Sequence, residues 1–383
     1  MDSLPRSEHL DTQALSRIFN NTTNSYKFLF LLSIMDILAR RNFDVKTPVS
    51  FTDLTVEMLS IAWVPHTFFK LSFGKQDSIT KKLDSLVKEL GETAFAFTTK
   101  GKENLRQSLA SSSLGKDKEL MRYVPFRLLI PFLEDELMDV NKSKGTILEN
   151  AMPKIANDNF DRKKPLYKFN SDNYKDCESI CINTEWSEYL QANFTIIYAW
   201  VSWNWLQFMQ KRNPSTPNLS KKLFIPINRE SHETQSDYWK QILNHEKGRH
   251  LTCIYSETAL VTHEFSLDHY LPWSFVAHNQ LWNLIPTTPS VNSSKSNILP
   301  DEKYFDAFVE TQHAGIHIAK QIFSEHIFEN RIECFISDLS LKETSDIFNL
   351  TTLRDAYKQT INPLNNLAAN QGFSTGWQFN LTP

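Results

Sequence analysis

A chain of 383 residues, 41% hydrophobic and 12% aromatic with 27 Phe and 9 Trp, has ample material for a buried core and exceeds one ordinary domain. That composition excludes a disordered chain, and only 9 glycines disfavour a fold built on repeated glycine-rich phosphate loops. The net charge of −3 leaves nucleic acid open as a partner, because nucleic-acid enzymes often gather their basic residues on one face.

The first residues, MDSLPRSEHL, are polar and carry both charge signs, so no signal peptide is read there. The apolar run from Phe28 to Leu32 falls far short of the roughly 18 to 20 residues that a membrane span needs. A soluble, cytoplasmic protein is the expectation. The stretch NTTNSYKFLFLLSIMDILARR sets polar capping residues before an apolar run and closes on Arg40 and Arg41, which predicts a helix. In DSITKKLDSLVKEL, Ile79, Leu83, Leu86, Val87 and Leu90 recur at helical spacing, with Gly91 as the stop. Tyr123 to Leu133 is apolar but broken by Pro125 and Pro131, and reads as a buried irregular or strand-like segment. Gly115-Lys116 is no phosphate loop, since Ala110 and Asp117 break the pattern. Residues 1–140 thus read as a helical N-terminal region.

The polar, basic stretch 141–169 marks a boundary, and its Arg162, Lys163, Lys164 and Lys168 read as a solvated run rather than a phosphate contact. Cys177 and Cys181 have no second pair downstream, and four cysteines make no disulfide framework in a chain this long. No structural zinc is expected. SEYLQANFTIIYAWVSWNWLQFMQKR is apolar around most of a helical circumference and predicts a buried helix. In it Trp200, Trp203 and Trp205 pack rather than stack on bases. NPSTPN ends it, and DYWKQILNHEKGRH predicts a short helix with a basic end, completing a linker and helical middle region, 141–244. After Pro300 the periodicity is helical again, giving a C-terminal region 301–383. There His313 and His317 read as an ordinary helical pair, because Ala314 stands where a zinc-peptidase motif needs Glu.

The chemistry concentrates in CIYSETALVTHEFSLDHYLPWSFVAHNQLWNLIPTTPSVNSSKSN, within a module spanning 245–300. A short strand ending at Asp268-His269 sets two polar side chains before a turn at Pro272. Trp282, Leu284 and Ile285 predict a second strand that Pro286 limits. A turn at Thr288 and Pro289 then opens a helix carrying Asn292, with Lys295 three residues on and hence on the same face.

These residues resemble the HNH nuclease family. The signs are Asp268-His269, Pro272-Trp273-Ser274, Trp282-Asn283-Leu284 and Asn292-x-x-Lys295. His269 and Asn283 lie 14 positions apart, and Asn283 and Asn292 nine. The order and spacing look like the HNH domain of the RNA-guided CRISPR effector nucleases. The resemblance implies a ββα-metal arrangement that brings Asp268, His269 and Asn292 to one point. It implies His269 as general base, Asp268 and Asn292 as oxygen ligands of one Mg²⁺ (or Mn²⁺), Asn283 as holder of the loop orienting His269, and Lys295 as a phosphate contact. The products it implies carry a 5′-phosphate and a 3′-hydroxyl. Family members that bind a structural zinc use two C-x-x-C pairs, whereas here Cys253 stands alone and Ser256 replaces its partner. The hairpin must then be held by packing, for which Tyr255, Leu267, Trp273, Phe275 and Trp282 are the candidates.

The expectation is a mainly α protein with a small α+β module, an HNH nuclease core flanked by helical regions. It would hydrolyse phosphodiester bonds in nucleic acid, DNA favoured over RNA, as a restriction or anti-phage effector with a partner ATPase or sensor protein. Two other readings stay open: a non-catalytic nucleic-acid-binding or scaffolding subunit, and a helical sensor whose HNH-like segment is vestigial.

Overall fold

A computed structural model describes residues 4–74, 77–90, 98–113, 119–140, 146–224 and 231–380. The chain divides into two compact units, Met1–Pro214 and Ser215–Pro383, and the break falls in the NPSTPN segment. The middle region read from the sequence, 141–244, is thereby shared between them. No helix among the described residues is long and apolar enough to cross a membrane.

The first unit is helical around a three-stranded antiparallel sheet. Its helices are α1 (Thr12–Arg17), α2 (Tyr26–Arg40), α3 (Phe51–Thr67), α4 (Ser78–Leu90), α5 (Thr99–Ser111), α6 (Val124–Arg127), α7 (Ile147–Asp158), α8 (Thr184–Ala192) and α9 (Phe194–Arg212). The strands β1 (Val49–Ser50), β2 (Tyr167–Phe169) and β3 (Ser179–Ile182) lie in the order β1-β3-β2. Helix α2 buries Phe28 through Met35 without a break, as a central helix must. Helix α4 turns Ile79, Leu83 and Leu86 inward; its expected stop at Gly91 lies outside the described residues, as does Gly115-Lys116.

Four expectations change here. Tyr123–Leu133 is buried but helical, not strand-like: Pro125 sits in the first turn of α6, where a missing N–H costs nothing. The single long helix through 187–212 is two, because Asn193 ends α8 and opens α9. Of its tryptophans, Trp205 is buried and Trp200 packs on Phe19, but Trp203 stands 56% exposed. The basic run is also less free than a solvated linker: Arg162 pairs with Glu136, Lys163 with Asp135 and Lys164 with Glu185, while Lys168 lies over the Phe160 ring.

The second unit contains α10 (Leu219–Leu223), α11 (Glu233–Asn244), α12 (Trp273–Val276), α13 (Pro289–Lys295), α14 (Phe305–Ile322), α15 (Glu325–Asp338) and α16 (Leu350–Asn370). Strands β4 (Ser266–His269) and β5 (Leu284–Thr287) pair antiparallel, with Asp268 opposite Ile285 and His269 opposite Leu284. Every residue of β5 is buried, so the hairpin is covered on both faces. Helices on either side of it supply the cover. Gln312 of α14 donates to the Leu284 carbonyl at 2.9 Å, and Trp239 of α11 to the same oxygen at 3.2 Å. Asp338 of α15 accepts from the Trp282 indole at 2.7 Å, and Tyr357 of α16 donates to the Trp282 carbonyl at 2.9 Å. Helix α14 comes this close to α11 because residue 315 is glycine: a Cβ there would lie 2.9 Å from the Trp239 ring.

Lys222 of α10 is fully buried, and its partners among the described residues are the carbonyl and ring of Phe275. Burial without a carboxylate pushes its ammonium down from the ordinary 10.5 to about 7. The unfolded chain therefore holds more protons between those values, and stability rises with pH across that window, by up to about 1.4 kcal/mol per pH unit. Lys222→Met is expected to melt higher than wild type at pH 6.5, with the advantage shrinking steadily by pH 9.5. A difference that does not change with pH would rule out the buried charge as its source.

Candidate active site

Strand β4 ends on two side chains with opposite surroundings, as alternation along a strand requires. Asp268 points inward and is 2% exposed. Its Oδ2 accepts from the Tyr255 hydroxyl at 2.8 Å and its Oδ1 from the Lys295 ammonium at 3.0 Å. Lys295 is fully enclosed, and also donates to the His269 carbonyl at 2.6 Å. Burial pushes the Asp268 carboxyl up and the Lys295 ammonium down, and the attraction between them opposes both shifts. The Asp268–Lys295 pair is hydrogen-bonded on both carboxylate oxygens. Lys295, a phosphate contact by the resemblance, is enclosed here against Asp268.

His269 faces a cleft of about 750 Å³ whose walls include His232, which caps α11, Lys240 of α11, Phe265, Trp273 and Asn279. Its Nε2 lies 3.0 Å from Asn279 Oδ1. An amide oxygen only accepts, so Nε2 carries the hydrogen and Nδ1 the lone pair. Burial pushes the imidazole down from 6.5 to about 3, partly offset by Asn279, so the ring is neutral at ordinary pH.

Helix α13 starts at Pro289 after Thr288, as the sequence predicts. It presents Asn292 to the Ser266–Asp268 face of β4. The Asn292 amide donates to Ser266 Oγ at 2.7 Å and to the Leu267 carbonyl at 3.2 Å. Those two bonds fix the side chain and leave its Oδ1 without a hydrogen-bond partner among the described residues. Asn283, fully buried, donates to the Leu271 carbonyl at 2.9 Å and accepts the Leu271 N–H at 2.8 Å, while its own carbonyl accepts the Tyr270 N–H. One amide thereby clamps the segment that leaves His269.

Among the described residues no group of three or more His, Cys, Asp and Glu side chains could hold a metal ion. An ion at this strand therefore depends on one carboxylate supplemented by amide and backbone oxygens. The donors present suit a hard divalent ion. Asp268 Oδ1 and the His269 carbonyl already accept from the Lys295 side chain, and Asn292 bonds only through its Nδ2 among the described residues.

Two partners of the site were not read from the sequence. Asn279 fixes the His269 tautomer from a loop ten residues on, and Tyr255 holds Asp268 from 13 residues before. The sequence offers Tyr255 as a packing residue, and it does pack, against Tyr304 and Trp377. Cys253 is a buried free thiol 3.0 Å from Thr287 Oγ1. Of the other histidines, His278 sits on the Trp282 ring, His263 is exposed beside Glu264, and His313 bonds the Phe348 carbonyl and His317.

No curated protein and no solved structure matches the chain. The family model for HNH endonucleases does match, over residues 253–301, a span that takes in β4, α12, β5 and α13 with Tyr255, Asp268, His269, Asn279, Asn283, Asn292 and Lys295. HNH nucleases generally use a divalent metal and act on nucleic acid. The chain therefore carries an HNH-family domain at residues 253–301, set within a mainly helical protein.

Proposed function

We propose that the protein is a metal-dependent endonuclease that hydrolyses phosphodiester bonds, with DNA as the favoured substrate. The observation that carries this reading is the hydrogen bond from His269 Nε2 to Asn279 Oδ1, 3.0 Å long, in the wall of the cleft. It leaves Nδ1 of a neutral imidazole to take the proton of an attacking water. Asn279 also favours the imidazolium that results, since its oxygen continues to accept from Nε2. Asn283 keeps the segment after His269 in place, so the ring does not have to be ordered at each turnover. Asp268 and Asn292 are the residues that would hold Mg²⁺ or Mn²⁺. Bound there, the ion supplies charge neutralisation at the phosphate. An HNH domain within a larger helical chain suits a restriction or anti-phage effector that works with an ATPase or sensor protein, a context drawn by analogy.

The test is digestion of supercoiled plasmid, linear duplex, single-stranded DNA and RNA by the full chain, in Mg²⁺ and in EDTA. Cleavage in Mg²⁺ that EDTA stops, fastest on DNA and leaving 5′-phosphate ends, is the expected result. Equal cleavage in EDTA would overturn the metal dependence. Binding of these substrates without cleavage of any would return the scaffold reading.

A further inference from the structure

The carboxylate that a divalent ion would use at β4 is one that a lysine uses now. Lys295 Nζ lies 3.0 Å from Asp268 Oδ1 and 2.6 Å from the His269 carbonyl. The two side chains are 0% and 2% exposed, so neither charge is screened by water. A divalent ion and an ammonium on one carboxylate oxygen would repel strongly at such range and burial. Asp268 is also the carboxylate with which Lys295 pairs, and Tyr255 already donates to its second oxygen. Tyr255 and Lys295 each take an acceptor site on one carboxylate oxygen, so an ion entering on Asp268 and Asn292 would sit beside the enclosed ammonium.

We propose that Lys295 is a resident counter-cation which a divalent ion must displace from Asp268, so that ion loading and release of the lysine are one event. This rests on the reading of Asp268 and Asn292 as the residues that hold the ion. Two consequences follow. The site keeps its carboxylate neutralised, and so keeps its fold, before an ion arrives. Ion affinity is lower than the bare donor set would give, by the equilibrium constant for moving the lysine away.

The experiment uses the full chain and Mn²⁺, with free ion read by electron paramagnetic resonance. Lys295→Met keeps the length of the side chain and removes its charge, and is expected to bind Mn²⁺ at least about tenfold tighter than wild type. Lys295→Arg retains the charge and should stay within about threefold of wild type. Equal or weaker binding by Lys295→Met overturns the proposal. Should Lys295→Met not fold, wild type carries the test through acetic anhydride labelling read by peptide mass. Lys295 should be protected without ion and become acetylated at saturating Mn²⁺, while Lys222, equally enclosed, stays protected in both. Protection of Lys295 that persists with Mn²⁺ bound overturns the proposal. Asp268→Asn separates the two levels of failure. Mn²⁺ binding that Asp268→Asn leaves intact removes the ion from Asp268, and the metal assignment falls with the proposal. Binding lost in Asp268→Asn but indifferent to residue 295 sinks the proposal alone.

Discussion

His269→Ala is expected to lower the rate of strand cleavage by roughly 10²- to 10⁴-fold, the range for loss of a positioned general base. The loss should fall on the chemical step, because the ring's hydrogen-bond partner is Asn279 rather than any group that holds the fold together. The backbone of residue 269 keeps its pairing with Leu284, and its carbonyl keeps Lys295. Substrate binding should therefore survive, measured by anisotropy of a labelled duplex in the absence of turnover, and melting should move little. A cleavage rate within threefold of wild type would remove His269 from the chemistry and leave the cleft as a binding groove.

The second large effect is on stability. Asn283→Ala takes away both partners of the Leu271 peptide, and Leu271 and Asn283 are fully buried. A buried N–H and a buried C=O left unpaired cost about 1–3 kcal/mol each, so a total near 3–4 kcal/mol is expected. For a unit of this size that is a fall of roughly 10 °C in the melting transition. The chain has two compact units, so the transition should be assigned by hydrogen exchange with mass spectrometry, following peptides from 270–284. A fall below about 2 °C would show that water or a shifted backbone replaces the amide, and the clamp would lose its importance. Asn283→Asp is the sharper control: it keeps the acceptor for the Leu271 N–H and loses the donor to the Leu271 carbonyl.

What was legible in the sequence was what repeats or what stops the chain locally. Asp268 and His269 lie at the end of a strand because an alternating run meets Pro272, and α13 begins where Thr288 and Pro289 favour a first turn. Lys295 shares a face with Asn292 through helical spacing alone. The arrangement of strand, strand and helix, and the order His, Asn, Asn along it, could be read from those signals. So could the burial of α2 and the inward face of α4.

Only the tertiary structure decided the surroundings of those side chains. That Asp268 is held on both oxygens depends on Lys295 and on Tyr255, which itself packs on Tyr304 and Trp377. That His269 carries its hydrogen on Nε2 depends on one loop asparagine. A hydrogen bond between groups ten or 13 residues apart along an irregular path has no periodicity, so no pattern announces Asn279 or Tyr255. Exposure behaves in the same way: Trp203 and Trp205 look alike in a helix apolar nearly all round, and the neighbours that pack against α9 bury one and leave the other at 56%. Residue type and spacing specify which groups can act at the site. Charge, tautomer and access belong to the neighbours, and neighbours are chosen by the folded chain.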